Sequence, residues 1–301
     1  MKRGIALTFS GLFLSIGLCF APSKPTEFSS PAMNINPDLP AADQARMLLR
    51  KVLMTGKVSS ELPILDAEFS RRVGQKCEIT RDQLRDYLSN KHISEWEIGG
   101  NIDLPVSSVR DSLGNETFAK YMVFHDTSFP RYNESFPKNI NDDSWEWNRL
   151  NKWVAAVTHI YVNRMGDSKT MTAFQDGMTA TKLERYVMGD AASRGLYLHI
   201  ELIQPRKTRK GFGRHNDVDA PEMGFTMPQY ERLALLYTTA SVRKGDYLIP
   251  GFHACVDNGI KYAHDDPQNF ELTKFFTALT NLWTEIEKAK NVTSQHIGSG
   301  N

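Results

Sequence analysis

Apolar positions change their spacing along this chain, and the changes divide it into candidate elements. From Ala41 to Leu53, Ala45, Leu48, Leu49 and Val52 recur at the intervals of one helix face, and Asp43 puts negative charge near the start. A second helix is predicted over about 80–90, where Thr80 is a suitable N-cap for RDQLRDYL because its hydroxyl can accept from a first-turn N–H. KYMVFH (120–125) is a short apolar run of strand length that ends on a histidine. WVAAVTHIYVNR (153–164) is β-rich and closed by the Met165-Gly166-Asp167 turn, and LYLHIELI (196–203) is a further strand. Pro228 begins a helix with Tyr230, Leu233, Leu236 and Tyr237 on one face. A last helix, about 270–288, places Phe275, Leu279, Leu282 and Ile286 on a buried stripe. Strands alternating with helices predict an α/β or mixed α+β domain, a central sheet flanked by helices.

The ends of the chain break this pattern. Lys2 and Arg3 precede an apolar run from Gly4 to Ala21, the layout of a secretory signal or an N-terminal membrane anchor, so an exported protein, periplasmic or extracellular, is expected. Residues 22–40, rich in Pro, Ser and Asn, read as a flexible linker. Residues 41–117 form a small, mostly helical N-terminal extension without a chemical motif, 118–290 the main domain, and 291–301 a tail. A chain of 301 residues with 41% hydrophobic content can bury a sizeable core, and a net charge of +1 with 24% charged residues gives no general nucleic-acid binder. Of the three cysteines, Cys77 and Cys255 would remain after signal removal, as a disulfide in an oxidising compartment or as free thiols.

Candidate chemistry gathers where His, Asp and Glu stand at strand ends. His125 closes one strand, Glu201 lies in another, and His253 begins GFHACVDNGIKYAHDDPQNF, which also holds His264, Asp265 and Asp266. Two histidines and a carboxylate suffice for a catalytic zinc with an open position, and a further carboxylate can then serve as general base. Glu201 suits that role, with Glu184 as a competitor. His159 and His199, on strands, are core or cleft-wall residues.

The order of these segments resembles the type 2 N-acetylmuramoyl-L-alanine amidases, zinc enzymes that share a fold with the peptidoglycan-recognition proteins. VFHDT stands where that family has its first metal-binding histidine, THIYVNRMGD (158–167) follows, LHIELI supplies a glutamate strand, MPQYERLALLY (227–237) a helix, and IPGFHACVDNGIKYAHDDPQNF the last two ligands. The resemblance covers about residues 118–285. It implies an amidase-like fold, Zn²⁺ on His125, His253 and Asp266, Glu201 as base, and His264 where members carry an oxyanion-stabilising lysine. Asp126 replaces a usual second histidine, and Gln268 a glycine. Asp265 competes with Asp266, which is preferred because it directly precedes Pro267.

The implied reaction is hydrolysis of the amide between N-acetylmuramic acid and L-alanine in peptidoglycan, by a monomer that binds a muropeptide. The alternatives are a non-catalytic peptidoglycan-recognition module and a secreted lytic effector of the same chemistry. Trp145 and Trp147, in an aromatic-dotted loop, are expected to stack on sugar, His159 to line the cleft, and Arg206, at the start of the basic run RKTRKGFGRH, to attract anionic parts of the substrate.

Overall fold

A computed structural model describes residues 36–53, 57–208 and 219–297, with side chains to residue 288. The expected signal, most of the linker, the basic positions Arg209, Lys210 and Arg214, and the end of the tail lie outside the described residues. The chain begins with α1 (Ala41–Leu48), α2 (Ala67–Arg72) and α3 (Arg81–Asn90), then a hairpin of β1 (Ser108–Arg110) and β2 (Glu116–Phe118). Next come β3 (Tyr121–Asp126), β4 (Arg131–Tyr132), β5 (Ile160–Val162) and β6 (Ser168–Thr170). A π-helical stretch, Leu183–Gly189, runs into α4 (Asp190–Ser193), followed by β7 (Tyr197–Leu202) and β8 (Arg206–Lys207). The chain closes with α5 (Met227–Lys244), β9 (Ile249–Phe252), α6 (His253–Val256) and α7 (Leu272–Ile297).

The principal sheet has the order β6-β5-β7-β3-β9. β3 runs parallel to both β7 and β9, β5 runs parallel to β7, and only the edge strand β6 is antiparallel. Parallel strands covered on both faces have no wet side, which is why YMVF and LYL are unbroken apolar runs. Register decides which side chains share a face. Tyr121, Val123 and His125 pair with Tyr197, His199 and Glu201, so all six project to one side. The rings of Tyr121 and Tyr197 stack there at 5.2 Å. Phe124 and Phe252 project to the other side and pack on Phe275 of α7 and on Phe270, at 5.3 and 4.9 Å. α5 and α7 lie against each other beneath that side, and α2 and α3 pack on α7.

α1 reaches β9 because Gly251 has no side chain: a Cβ there would lie 3.0 Å from Cβ of Leu48. Ala45, Leu48, Phe69 and Leu84 therefore join the same apolar core as Phe124, Leu236 and Phe275, and that core runs unbroken through the expected boundary at residues 117 and 118. The mixed α/β class and the flanked sheet are present as expected.

Helix ends follow local chemistry. Thr80 and Gln83 form a reciprocal capping box on α3. Thr226 and Gln229 do the same for α5, which starts one residue before Pro228 and stops at Gly245, left-handed at φ 92°. The stripe of Phe275, Leu279, Leu282 and Ile286 is buried. The segment 153–164 differs from expectation, since only Ile160–Val162 is a strand. Before it, the Trp153 indole donates to the Trp147 carbonyl and the Thr158 hydroxyl to the His199 carbonyl, and these bonds hold the chain out of a regular ladder. Cys77 and Cys255 are both free thiols, the second giving its hydrogen to the Arg50 carbonyl. Among the described residues no helix is long and apolar enough to cross a membrane.

Candidate metal centre

β3, β7 and β9 end at one edge of the sheet, and the side chains at that edge converge. In parallel α/β sheets this carboxyl end is where helices and loops leave room for ligands. His125 is the penultimate residue of β3, Glu201 its register partner in β7, and His253 follows β9 directly as the first residue of α6. Asp266 arrives from the loop after α6. Nδ1 of His125 lies 2.9 Å from Nδ1 of His253, which lies 3.1 Å from Oδ1 of Asp266. Nδ1 of His125 is 3.8 Å from Oδ2 of the same aspartate. Ligand atoms of a tetrahedral zinc are separated by about 3.3 Å, given bonds of about 2.0–2.1 Å. The three buried side chains therefore fit one small cation and could hold it.

Two of the three are held from behind. His253 Nε2 is 3.0 Å from Oδ2 of Asp257, one helical turn on, and Asp257 in turn accepts from the backbone N–H groups of Lys182 and Leu183 at 3.1 and 2.9 Å. Asp266 accepts the backbone N–H of Asp126 at 3.1 Å. The Asp126 carboxylate accepts from Arg206 Nη2 at 2.7 Å, from the Ser128 N–H at 2.9 Å and from the Gln268 N–H at 3.3 Å, which ties the end of β3 to the turn that carries Asp266. Such outer contacts orient ligands and tune their basicity.

Charge is divided unequally within the cluster. Burial works against a charged His253, but Asp266 and Asp257 outweigh it and hold this imidazole well above its ordinary value. Burial, with His253 and His199 as neighbours, pushes His125 well below it. Asp266 is buried, yet His253 and His125 keep its carboxyl below the usual range. Glu201 is pushed well above its usual range by burial, then by Asp266 and Asp126, and its Oε2 has no hydrogen-bond partner. Partial desolvation where its ring stacks on His253, and the charge of His253, lower His264, although its side chain is 55% exposed.

These directions set the pH dependence of metal uptake. A ligand must shed its proton to bind, and near neutrality the metal-free protein carries one on His253. Affinity for a divalent cation should therefore rise with pH, about tenfold per unit while His253 remains protonated. In the metal-free protein the sign is opposite. A raised histidine stabilises the fold below its ordinary pKa, and that stabilisation fades as pH climbs through the raised value. Competition with a chromophoric chelator between about pH 6 and pH 8 measures the first effect, and a pH-independent affinity would refute it.

A cavity of about 880 Å³ opens on this edge, lined among others by His125, Glu201, His253, His264 and Asp266. The ring of His264 stacks on His253 at 4.4 Å, with Nδ1 3.7 Å from Oδ1 of Asp266. Asp265 also lines the cavity but accepts from Gln268 Nε2 at 2.8 Å, and Asp266 is the one that meets both histidines. Glu184 is buried away from the cavity, in contact with His199.

The four residues expected to touch substrate are placed elsewhere, and those assignments are corrected. Trp145 is buried with Ile140 and Ile203, its indole bonded to the Tyr132 hydroxyl, and Trp147 packs edge-on to Phe129 and Trp153. These aromatics hold the long loop down. His159 is fully buried, bonded to the Asp176 carbonyl and the His199 N–H, and burial lowers it to about 3. Arg206 is fully buried on Asp126. The cavity wall instead carries Arg131, Lys182, Arg185 and the exposed Tyr262, none of which belongs to a motif legible in sequence. Asp257 was also missed, although its four-residue spacing from His253 was visible there.

No protein-family model, curated protein or solved structure matches this chain.

Proposed function

We propose that the protein is a zinc-dependent amidase that cleaves the bond between N-acetylmuramic acid and L-alanine in peptidoglycan. The observation that carries this reading is the convergence of His125, His253 and Asp266 at the floor of an open cavity, beside Glu201 with an unpaired carboxyl oxygen. Two histidines, one aspartate and a separate carboxyl group are the donor set of a hydrolytic zinc site, in which zinc supplies Lewis acidity toward a carbonyl oxygen and toward water.

The chain's own residues perform the rest. Glu201 takes the proton of the attacking water at Oε2 and delivers it to the leaving nitrogen. Burial favours its uncharged form, and the positive charge of a cation on the three ligands would return it to the carboxylate that accepts the proton. His264, on the cavity wall with its imidazole held below the ordinary value, donates an N–H to the oxyanion of the tetrahedral intermediate. Lys182 and Arg185, on the cavity wall, meet the anionic part of the muropeptide. The basic and apolar start of the chain supports action after export.

Digestion of purified peptidoglycan, with products identified by mass, tests the reading. Intact stem peptides should be released by the protein as purified and not after treatment with a chelator. Release of sugars or cross-link fragments would overturn the bond assignment, and chelator-insensitive release would overturn the metal. Binding of wall fragments without turnover would favour a recognition module.

A further inference from the structure

His125 turns Nδ1 toward His253 and Asp266, so its other ring nitrogen faces away from the centre. That Nε2 lies 3.1 Å from Nδ1 of His199, and Nε2 of His199 lies 3.3 Å from Oε1 of Glu184. All three side chains are buried. Glu184 and His199 have no part in the proposed chemistry, yet they make an unbroken line from the protein interior to a metal ligand.

The hydrogen positions along this line follow from its two ends. At the far end, Oε2 of Glu184 accepts from the backbone N–H groups of Ala180 and Thr181 at 3.1 and 2.9 Å, and from the Thr181 hydroxyl at 2.8 Å. Backbone donors cannot reverse, so Oε2 is an acceptor, and Oε1 of the same carboxylate accepts from His199 Nε2. The other ring nitrogen of His199, Nδ1, faces His125 Nε2 at 3.1 Å. At the near end, the 2.9 Å approach of the two Nδ1 atoms needs one donor and one acceptor. Nδ1 of His253 also faces the Asp266 carboxylate at 3.1 Å, so it is the donor, and Nδ1 of His125 is the acceptor. The hydrogen of His125 therefore sits on Nε2, and the line to His199 and Glu184 receives it: Nε2 donates to His199 Nδ1, and His199 Nε2 donates to Glu184.

We infer that Glu184 and His199 are positioning residues that fix the tautomer of His125 and keep its Nδ1 lone pair directed at the metal centre. A carboxylate held against a metal-binding histidine usually acts directly on the ring. Here a second histidine carries the same constraint one ring further, and Asp257 supplies the direct version on His253. Both carboxylates are anchored on one short stretch, residues 180–183, whose backbone N–H groups hold Glu184 and Asp257.

The inference rests on the metal reading only for its consequence, because the tautomer is a property of the metal-free protein. Glu184→Gln separates position from packing. The amide keeps the shape of the carboxylate, but its oxygen must face the two backbone donors, which leaves its NH₂ against His199. His199 Nε2 must then accept and its Nδ1 must donate to His125 Nε2, so the far end opposes the near end and no longer holds the hydrogen of His125 on Nε2.

Long-range ¹⁵N–¹H NMR of the metal-free protein should find the His125 hydrogen on Nε2 alone in wild type and divided between Nε2 and Nδ1 in Glu184→Gln. Zinc affinity in the variant should fall about 10–100-fold, with its circular dichroism spectrum unchanged. A wild-type hydrogen on Nδ1 overturns the inference, as does a variant that binds zinc within about twofold of wild type. Should wild type bind no zinc, the metal reading falls, and the tautomer of His125 still decides the inference.

Discussion

Glu201→Gln should bind zinc as wild type does and hydrolyse peptidoglycan about 10²–10⁴-fold more slowly, the range expected when a general base is removed. The two effects separate because Glu201 stands beside the ligand cluster without joining it. It pairs with His125 across the β3–β7 ladder, projects to the same face and lines the cavity, but the group of atoms close enough to share an ion is His125, His253 and Asp266. Its Oε2 has no partner, so the substitution breaks no existing bond at that atom. Burial and the neighbours Asp266 and Asp126 already favour the uncharged carboxyl, which glutamine imitates, so the fold should tolerate the change. Glutamine lacks only the ability to take a proton. Steady-state release of stem peptides, with zinc content measured on the same preparations, checks both halves. A variant of wild-type rate would remove Glu201 from the mechanism, and loss of zinc would make it a ligand.

Arg206→Met should destabilise the fold by about 3–5 kcal/mol, the cost of stripping one partner from a buried ion pair. Arg206 and Asp126 are both buried, and their 2.7 Å contact is the pivot that joins the end of β3 to β8 and to the Asp266 turn. Burial pushes Asp126 up to about 6 against the pull of Arg206, and without the guanidinium it would rise further. A carboxyl raised in the folded state opposes folding once the pH is high enough to charge it. The deficit should therefore be larger at about pH 8 than at about pH 5, where the proton stays on. Urea denaturation at both values measures it, with an unchanged m-value showing that only stability moved. A loss below about 1 kcal/mol at the higher pH would mean that Asp126 does not depend on Arg206. Replacing both residues by apolar ones should recover part of the loss.

Much of the local architecture was legible because its causes are local. Thr80 as an N-cap announced α3, and one-face apolar spacing announced α5 and α7. The strand ending in His125 and the strand through Glu201 stood out as short apolar runs. Expectations failed where a side chain's fate depends on distant neighbours. Trp145, Trp147, His159 and Arg206 carry the residue types of a binding cleft, yet Trp145, His159 and Arg206 are buried on internal partners and Trp147 packs edge-on to Phe129 and Trp153. How the N-terminal extension sits on the main domain was likewise set at long range, since α1 enters the core through a contact between Leu48 and Gly251, some two hundred positions apart.

By itself the sequence determined the candidates: two histidines at strand ends, a glutamate on a neighbouring strand, and a pair of adjacent aspartates before a proline. Tertiary structure alone decided among them. The parallel register of β3 with β7 set Glu201 beside His125 and left Glu184 behind His199, and the turn after α6 delivered Asp266 to the histidines and Asp265 to Gln268. The physical reason is reach. Residue type and spacing act over a few positions of chain, whereas the partners that orient a buried imidazole or neutralise a buried carboxylate are selected only when strands pair and loops close.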